Sequence, residues 1–113
     1  MLTADQFRGL ALAMDGAIES AHMGHPDFRA NGRIFATLHP GNELGMVKLT
    51  PEQQQEFLRE GSDTFVPSSG AWGRQGCTNV KLAAVDEDTL GRALTLAWQN
   101  TKKQTGAKRK KKK

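Results

Sequence analysis

The chain has 113 residues, 37% hydrophobic and 25% charged, which is typical of one globular domain. No apolar run approaches the roughly 18 residues that cross a bilayer, and no secretory signal is visible, so we expect no membrane partner. The single cysteine, Cys77, excludes an intrachain disulfide and favours a reducing, cytoplasmic location.

The net charge of +4 is distributed unevenly. Residues 1–101 contain eight basic residues and all twelve acidic residues, a net charge of −4. Because dense like charges repel each other and offer nothing to bury, the sequence predicts a domain over residues 1–101 and a disordered lysine-rich tail over residues 102–113. We expect contact with nucleic acid to begin at the basic residues of that tail, which are Lys102, Lys103, Lys108, Arg109, Lys110, Lys111, Lys112 and Lys113.

Three helices are predicted from residues that can cap a helix N-terminus and from the apolar stripes that follow them. The capping residues are Thr3, Thr50 and Asp86, and the helices that follow end near Met14, Gly61 and Trp98.

The dipeptide Asn31-Gly32 interrupts residues 28–38 and is a strong hairpin signal, because both central residues of a type I′ turn need a positive φ. A two-residue loop here pairs Ala30 with Arg33 and Phe28 with Phe35. Further strands are predicted over residues 17–23, 43–49, 64–66 and 78–82. Hairpin connections without βαβ alternation indicate a single α+β domain on an antiparallel sheet.

Several segments resemble the MmcQ/YjbR-like family of small bacterial proteins. They are Gly-His-Pro-Asp-Phe-Arg at 24–29, Gly-Arg-Ile-Phe-Ala-Thr-Leu at 32–38, Val-Lys-Leu at 47–49 and Trp-Gly-Arg-Gln-Gly at 72–76. The resemblance covers about residues 3–100, and Cys77 stands where the family often has an aromatic residue. It implies the order helix, three strands, helix, two strands, helix, in a fold similar to secretion chaperones. It also implies hairpins similar to a double-wing DNA-binding motif, and no catalytic residues.

Arg29 and Arg33 lie on either side of the hairpin tip, where a wing that contacts phosphates needs positive charge. The alternative is two solvated arginines, because Asp27 and Glu43 are close in sequence.

The segment 68–76 contains a candidate ligand loop, formed by Trp72, Gly73, Arg74 and Gly76. Phosphate loops lead into a helix N-terminus, whereas a strand is predicted after this loop. The alternative is a tight loop in which Trp72 packs onto the sheet edge.

The sequence predicts no catalytic, metal or cofactor site, since its histidines and Cys77 complete no ligand pattern and no serine lies in a nucleophile elbow. We therefore expect a non-catalytic, cytoplasmic protein that binds nucleic acid weakly through its tail and a hairpin wing. The alternative is a protein-interaction module that uses its sheet face or the Trp72 loop.

Overall fold

Four helices and six strands form the part of the chain that the computed structural model describes, residues 2–22, 24–39, 41 and 43–106. The helices are α1 (Ala4–Leu12), α2 (Pro51–Glu60), α3 (Gly70–Arg74) and α4 (Glu87–Gly106). The strands are β1 (Ile18–His22), β2 (His25–Ala30), β3 (Arg33–Leu38), β4 (Leu44–Lys48), β5 (Phe65–Pro67) and β6 (Cys77–Lys81). All neighbours pair antiparallel in the order β1-β2-β3-β4-β6-β5. The predicted α+β class is therefore confirmed.

The caps that predicted the three long helices are formed. Thr3 Oγ1 accepts a hydrogen bond from the Gln6 amide, and Gln6 Oε1 accepts one from the Thr3 amide. Thr50 forms the same reciprocal box at the start of α2. Asp86 Oδ1 accepts a 2.7 Å bond from the Thr89 amide, which lowers the pKa of the Asp86 carboxyl. These bonds satisfy amides that a helix leaves unpaired.

One face of the sheet packs against α1, α2 and α4 and forms the core. Phe7 of α1 lies against Phe28 of β2, with 5.9 Å between ring centroids, and Phe57 of α2 lies 5.0 Å from Phe65 of β5. The opposite face, which we call the open face, is covered by none of these three helices. Strand alternation places on it His25, Asp27, Arg29, Ile34, Thr37, Leu44, Met46, Lys48, Val66, Cys77, Asn79 and Lys81, with Ile18 and Ser20 of β1.

The predicted turn is present, but the predicted pairing of two aromatic rings is wrong. Asn31 and Gly32 have φ values of 56° and 77°, and Ala30 pairs with Arg33 as expected. Phe28 pairs with Ala36 instead of Phe35, because a bulge adds one residue to β3. The bulge lets the consecutive residues Phe35 and Ala36 both enter the core, which regular alternation would prevent.

The number and placement of elements differ from the expectation at two points. Four strands, not three, separate α1 from α2, because the turn at residues 31–32 divides residues 25–38 into two strands in addition to β1 and β4. The segment predicted as a loop contains the short helix α3 between β5 and β6. Met23, the last residue of the first predicted strand, lies outside the described residues.

α4 continues to Gly106, so residues 102–106 are helical where disorder was predicted. Lysine and glutamine favour helices, cations are favourable near a helix C-terminus, and Lys102 Nζ lies 4.1 Å from the ring centroid of Trp98. The rest of the predicted tail, residues 107–113, lies outside the described residues. Within the described ranges, no helix combines the length and the apolar composition needed to cross a membrane.

Candidate functional site

A cavity of about 410 Å³ lies on the open face, above β3, β4 and β6 and beside α3. Its volume falls in the range of roughly 300–1,000 Å³ that is usual for ligand pockets. No acidic side chain is present among its lining residues, which are Ile34, Thr37, His39, Met46, Lys48, Ser68, Ser69, Trp72, Cys77 and Asn79. The cavity therefore combines apolar walls with neutral or positive polar groups.

Trp72 is an exposed part of this cavity, with 61% of its surface accessible. α3 is placed beside the cavity by two close backbone approaches. A Cβ atom on Gly73 would collide with the carbonyl oxygen of Ser68, and one on Gly76 with that of Leu49. These glycines allow α3 to pack closely, which leaves the Trp72 ring beside the groove instead of flat on the sheet edge.

A hydrogen-bond network orders the polar wall of the cavity. Asn79 Oδ1 lies 3.2 Å from His39 Nε2 and accepts a 3.1 Å bond from Ser68 Oγ. Because an amide oxygen only accepts, the His39 ring donates through Nε2. This network joins β6 to His39, which follows β3, and to Ser68, which follows β5. It fixes the position of the Asn79 amide.

Cys77 and Lys48 are two reactive groups in the lining of the cavity. Cys77 is buried, and its desolvation raises the pKa of the thiol, an effect that Lys48 partly opposes. A raised pKa lowers the fraction of the thiol that is present as thiolate at neutral pH. Lys48 Nζ lies 5.9 Å from the ring centroid of Trp72, so the rim presents one aromatic face and one cation together. In the described part of the chain, no three histidine, cysteine, aspartate or glutamate residues are grouped to hold a metal.

Only one of the four residues of the predicted ligand loop lines the cavity. Trp72 does so, whereas Gly73 and Gly76 allow the close packing of α3, and Arg74 is exposed on α3 outside the lining. The sequence did not predict Met46 or the other strand residues of the site. These residues lie on the side of β3, β4 and β6 that is only partly buried. That they belong to one site can be recognised only once the strand order is known.

The two hairpin arginines do not form one patch. Arg29 makes a bidentate pair with Asp27, through Nε to Oδ1 at 2.8 Å and NH2 to Oδ2 at 3.1 Å. This hydrogen-bonded pair raises the pKa of the Arg29 guanidinium. Arg33 is exposed, forms no ion pair with any residue in the described ranges, and pairs with Ala30, whose side chain is on the opposite face from Arg29.

The hairpin tip lies against the end of α4. Asn31 Nδ2 donates a 2.9 Å bond to Thr101 Oγ1, one residue before Lys102. Arg33 and Lys102 are therefore at the same end of the molecule. Of the other predicted tail residues, Lys103 belongs to α4, whereas Lys108, Arg109, Lys110, Lys111, Lys112 and Lys113 lie outside the described residues.

Comparison with known proteins agrees with this fold. The YjbR family model matches residues 12–100. The chain belongs to the YjbR family. The crystal structure of Deinococcus radiodurans protein DR2400, which has the DUF419 domain, is similar with a TM-score of 0.79 and 18% sequence identity. The alignment covers 93% of this chain and 82% of DR2400, and at that identity it shows a common fold. No curated protein matches this YjbR-family chain.

Proposed function

We propose that this YjbR-family protein is a non-catalytic protein-interaction module and that its docking surface is the open face. The observation that carries this proposal is the cavity beside Trp72, a 61% exposed aromatic ring over a groove of about 410 Å³. In this proposal the groove receives one apolar side chain from a segment of a partner protein.

The apolar surface around the groove supports a macromolecular partner. Val66 is 39% exposed on β5 and pairs with Asn79, so apolar surface continues past the cavity. Tryptophan is enriched among residues that dominate binding energy, and burying the exposed part of the Trp72 ring would contribute about 2 kcal/mol. The hydrogen bond between His39 and Asn79 supports a binding role over acid–base chemistry. The raised pKa of the Cys77 thiol supports it over nucleophilic chemistry.

The proposal is tested by mapping amide NMR shifts with two blocked neutral pentapeptides, Gly-Asn-Phe-Asn-Gly and Gly-Asn-Ala-Asn-Gly. We expect the phenylalanine peptide alone to shift residues of β3, β4, β6 and α3. Trp72→Ala should weaken this binding severalfold, whereas Leu12→Ala, which shortens an exposed apolar residue on α1, should not. Equal effects of both peptides, or shifts confined to other surfaces, would overturn the proposal.

A second candidate is binding of nucleic acid at the end of the molecule where the hairpin tip meets α4. The bond between Asn31 and Thr101 favours it, because this bond brings Arg33 to the same end as Lys102, the first residue of the lysine-rich tail. In this candidate the hairpin acts as one wing and the tail supplies most of the affinity, without sequence preference. For either candidate we propose a cytoplasmic location, supported by the single, buried Cys77.

A further inference from the structure

The open face carries an excess of positive charge although residues 1–101 have a net charge of −4. Three cations, Arg29, Lys48 and Lys81, lie on its strands, against one carboxylate, Asp27. That carboxylate is only 1% exposed and both of its oxygens are bonded to Arg29. The strand residues of this face therefore present no free negative charge to a partner.

Two cations elsewhere on the body are neutralised by acidic neighbours. Arg8 pairs with Asp5 and Glu19, and Arg92 pairs with Glu60. Lys48 and Lys81 form no ion pair with any residue that the structure describes. Lys48, in the wall of the apolar groove, and Lys81, on the same face, thus remain available to a partner, as Arg33 does at the hairpin tip.

Lys48 is the cation that a bound side chain would meet. It lines the cavity, and its Nζ lies 5.9 Å from the Trp72 ring centroid. An aromatic side chain that stacks on Trp72 and enters the groove brings its neighbouring residues to the Lys48 ammonium group. A carboxylate in that position gains a partner, whereas a lysine is repelled.

We propose that the partner segment is acidic, with an aromatic anchor for the groove flanked by aspartate or glutamate residues that pair with Lys48. This inference rests on the proposed function, and it adds the chemistry of the partner. The apolar groove provides most of the affinity, and Lys48 provides selectivity for charge.

The test uses three blocked pentapeptides, Gly-Asp-Phe-Asp-Gly, Gly-Asn-Phe-Asn-Gly and Gly-Lys-Phe-Lys-Gly, whose dissociation constants are measured from groove amide shifts. At about 0.01 M salt we expect the acidic peptide to bind about three- to fivefold more tightly than the neutral one, and the basic peptide more weakly. The preference should disappear at about 1 M salt, where the Debye length is about 3 Å.

Two matched variants separate the groove cation from the general charge of the face. Lys48→Gln should abolish the preference, so that the acidic and the neutral peptide bind with equal affinity. Lys81→Gln removes a cation from the same face outside the cavity lining and should keep most of the preference. Lys48→Glu should reverse the order, so that the basic peptide binds most tightly.

The outcomes distinguish the two proposals. If the neutral peptide binds in the groove and the acidic peptide binds no better, the inference about charge is wrong and the proposed function stands. If no phenylalanine peptide shifts the groove residues, the proposed function is wrong and this inference fails with it. If oligothymidylate shifts the groove residues and the peptides do not, the face binds single-stranded nucleic acid and both proposals are overturned.

Discussion

Gly76 shows how one residue controls the candidate site. Its φ of 111° is strained for any other residue, and a Cβ atom there would collide with the carbonyl oxygen of Leu49. The same residue connects α3 to β6, so its conformation sets where Trp72 lies relative to the groove. Two features of the structure therefore require glycine at this position, the positive φ and the close backbone approach.

Gly76→Ala is expected to lower the free energy of unfolding by at least about 2 kcal/mol, because both the backbone strain and the collision must be relieved. Gly9→Ala is the matched control, since Gly9 is in α1 and has no atom within 4 Å of an added Cβ. That control should be neutral or stabilising by up to about 1 kcal/mol. Chemical denaturation measures both variants, and equal stabilities would contradict the close approach at Gly76.

At the level of elements, the β2–β3 hairpin combines a feature that local sequence predicts with one that it does not. The turn follows from Asn31-Gly32, because both residues accept the positive φ of a type I′ turn. The bulge follows from the core, which takes both Phe35 and Ala36 from consecutive positions of β3. The turn residues therefore determined the pairing next to the turn, which begins with Ala30 and Arg33. Core packing determined how the residues of β3 after Ile34 pair with β2.

Gly32→Val is expected to destabilise the protein by about 1–3 kcal/mol, because a β-branched residue is strained at the φ of 77° found there. Gly32→Asn should cost less, since asparagine tolerates the left-handed region. Thermal unfolding of the two variants side by side provides the measurement. Equal losses for valine and asparagine would show that the turn does not need a positive φ at this position.

For the whole molecule, the charge distribution separates two surfaces. The open face has three cations and one paired carboxylate. The end of α4 has Lys102 and Lys103, and the sequence of residues 107–113 contains six further basic residues. A partner segment at the open face and a polyanion at the end of α4 would thus use different parts of the chain.

If the protein binds duplex DNA, deleting residues 107–113 should remove most of the affinity. With all eight basic residues of 102–113 engaged, the slope of log affinity against log salt would be about −7, and with Lys102 and Lys103 alone it would be about −2. Binding measured between about 50 and about 200 mM salt gives both slopes. The truncated protein must retain the unfolding midpoint of the full chain.

Two arginine variants complete the DNA experiment. Arg33→Gln should weaken binding modestly, whereas Arg29→Gln should not, because Arg29 already pairs with Asp27. If the truncated protein binds DNA as tightly as the full chain, the DNA-binding site lies on the hairpin or on another surface. Absence of binding by the full chain at low salt would rule out the nucleic-acid candidate.

The sequence by itself determined the features whose signals are local. Capping residues such as Thr3, Thr50 and Asp86 satisfy amides within their own first helical turn, so their effect can be read from spacing alone. The turn at residues 31–32 depends in the same way on the φ preferences of two adjacent residues. The α+β class and the acidic charge of residues 1–101 also follow without any tertiary contact.

Only the tertiary structure decided which side chains meet at the candidate sites. The cavity exists because β4 pairs with β6 and α3 packs beside them, which brings Met46, Trp72 and Asn79 together. Arg29 is unavailable to phosphate because it pairs with Asp27 on its own strand. The spacing of these residues in the sequence did not distinguish this ion pair from a solvated arginine. Packing and strand order are properties of the whole core, and short-range patterns carry too little information to specify them.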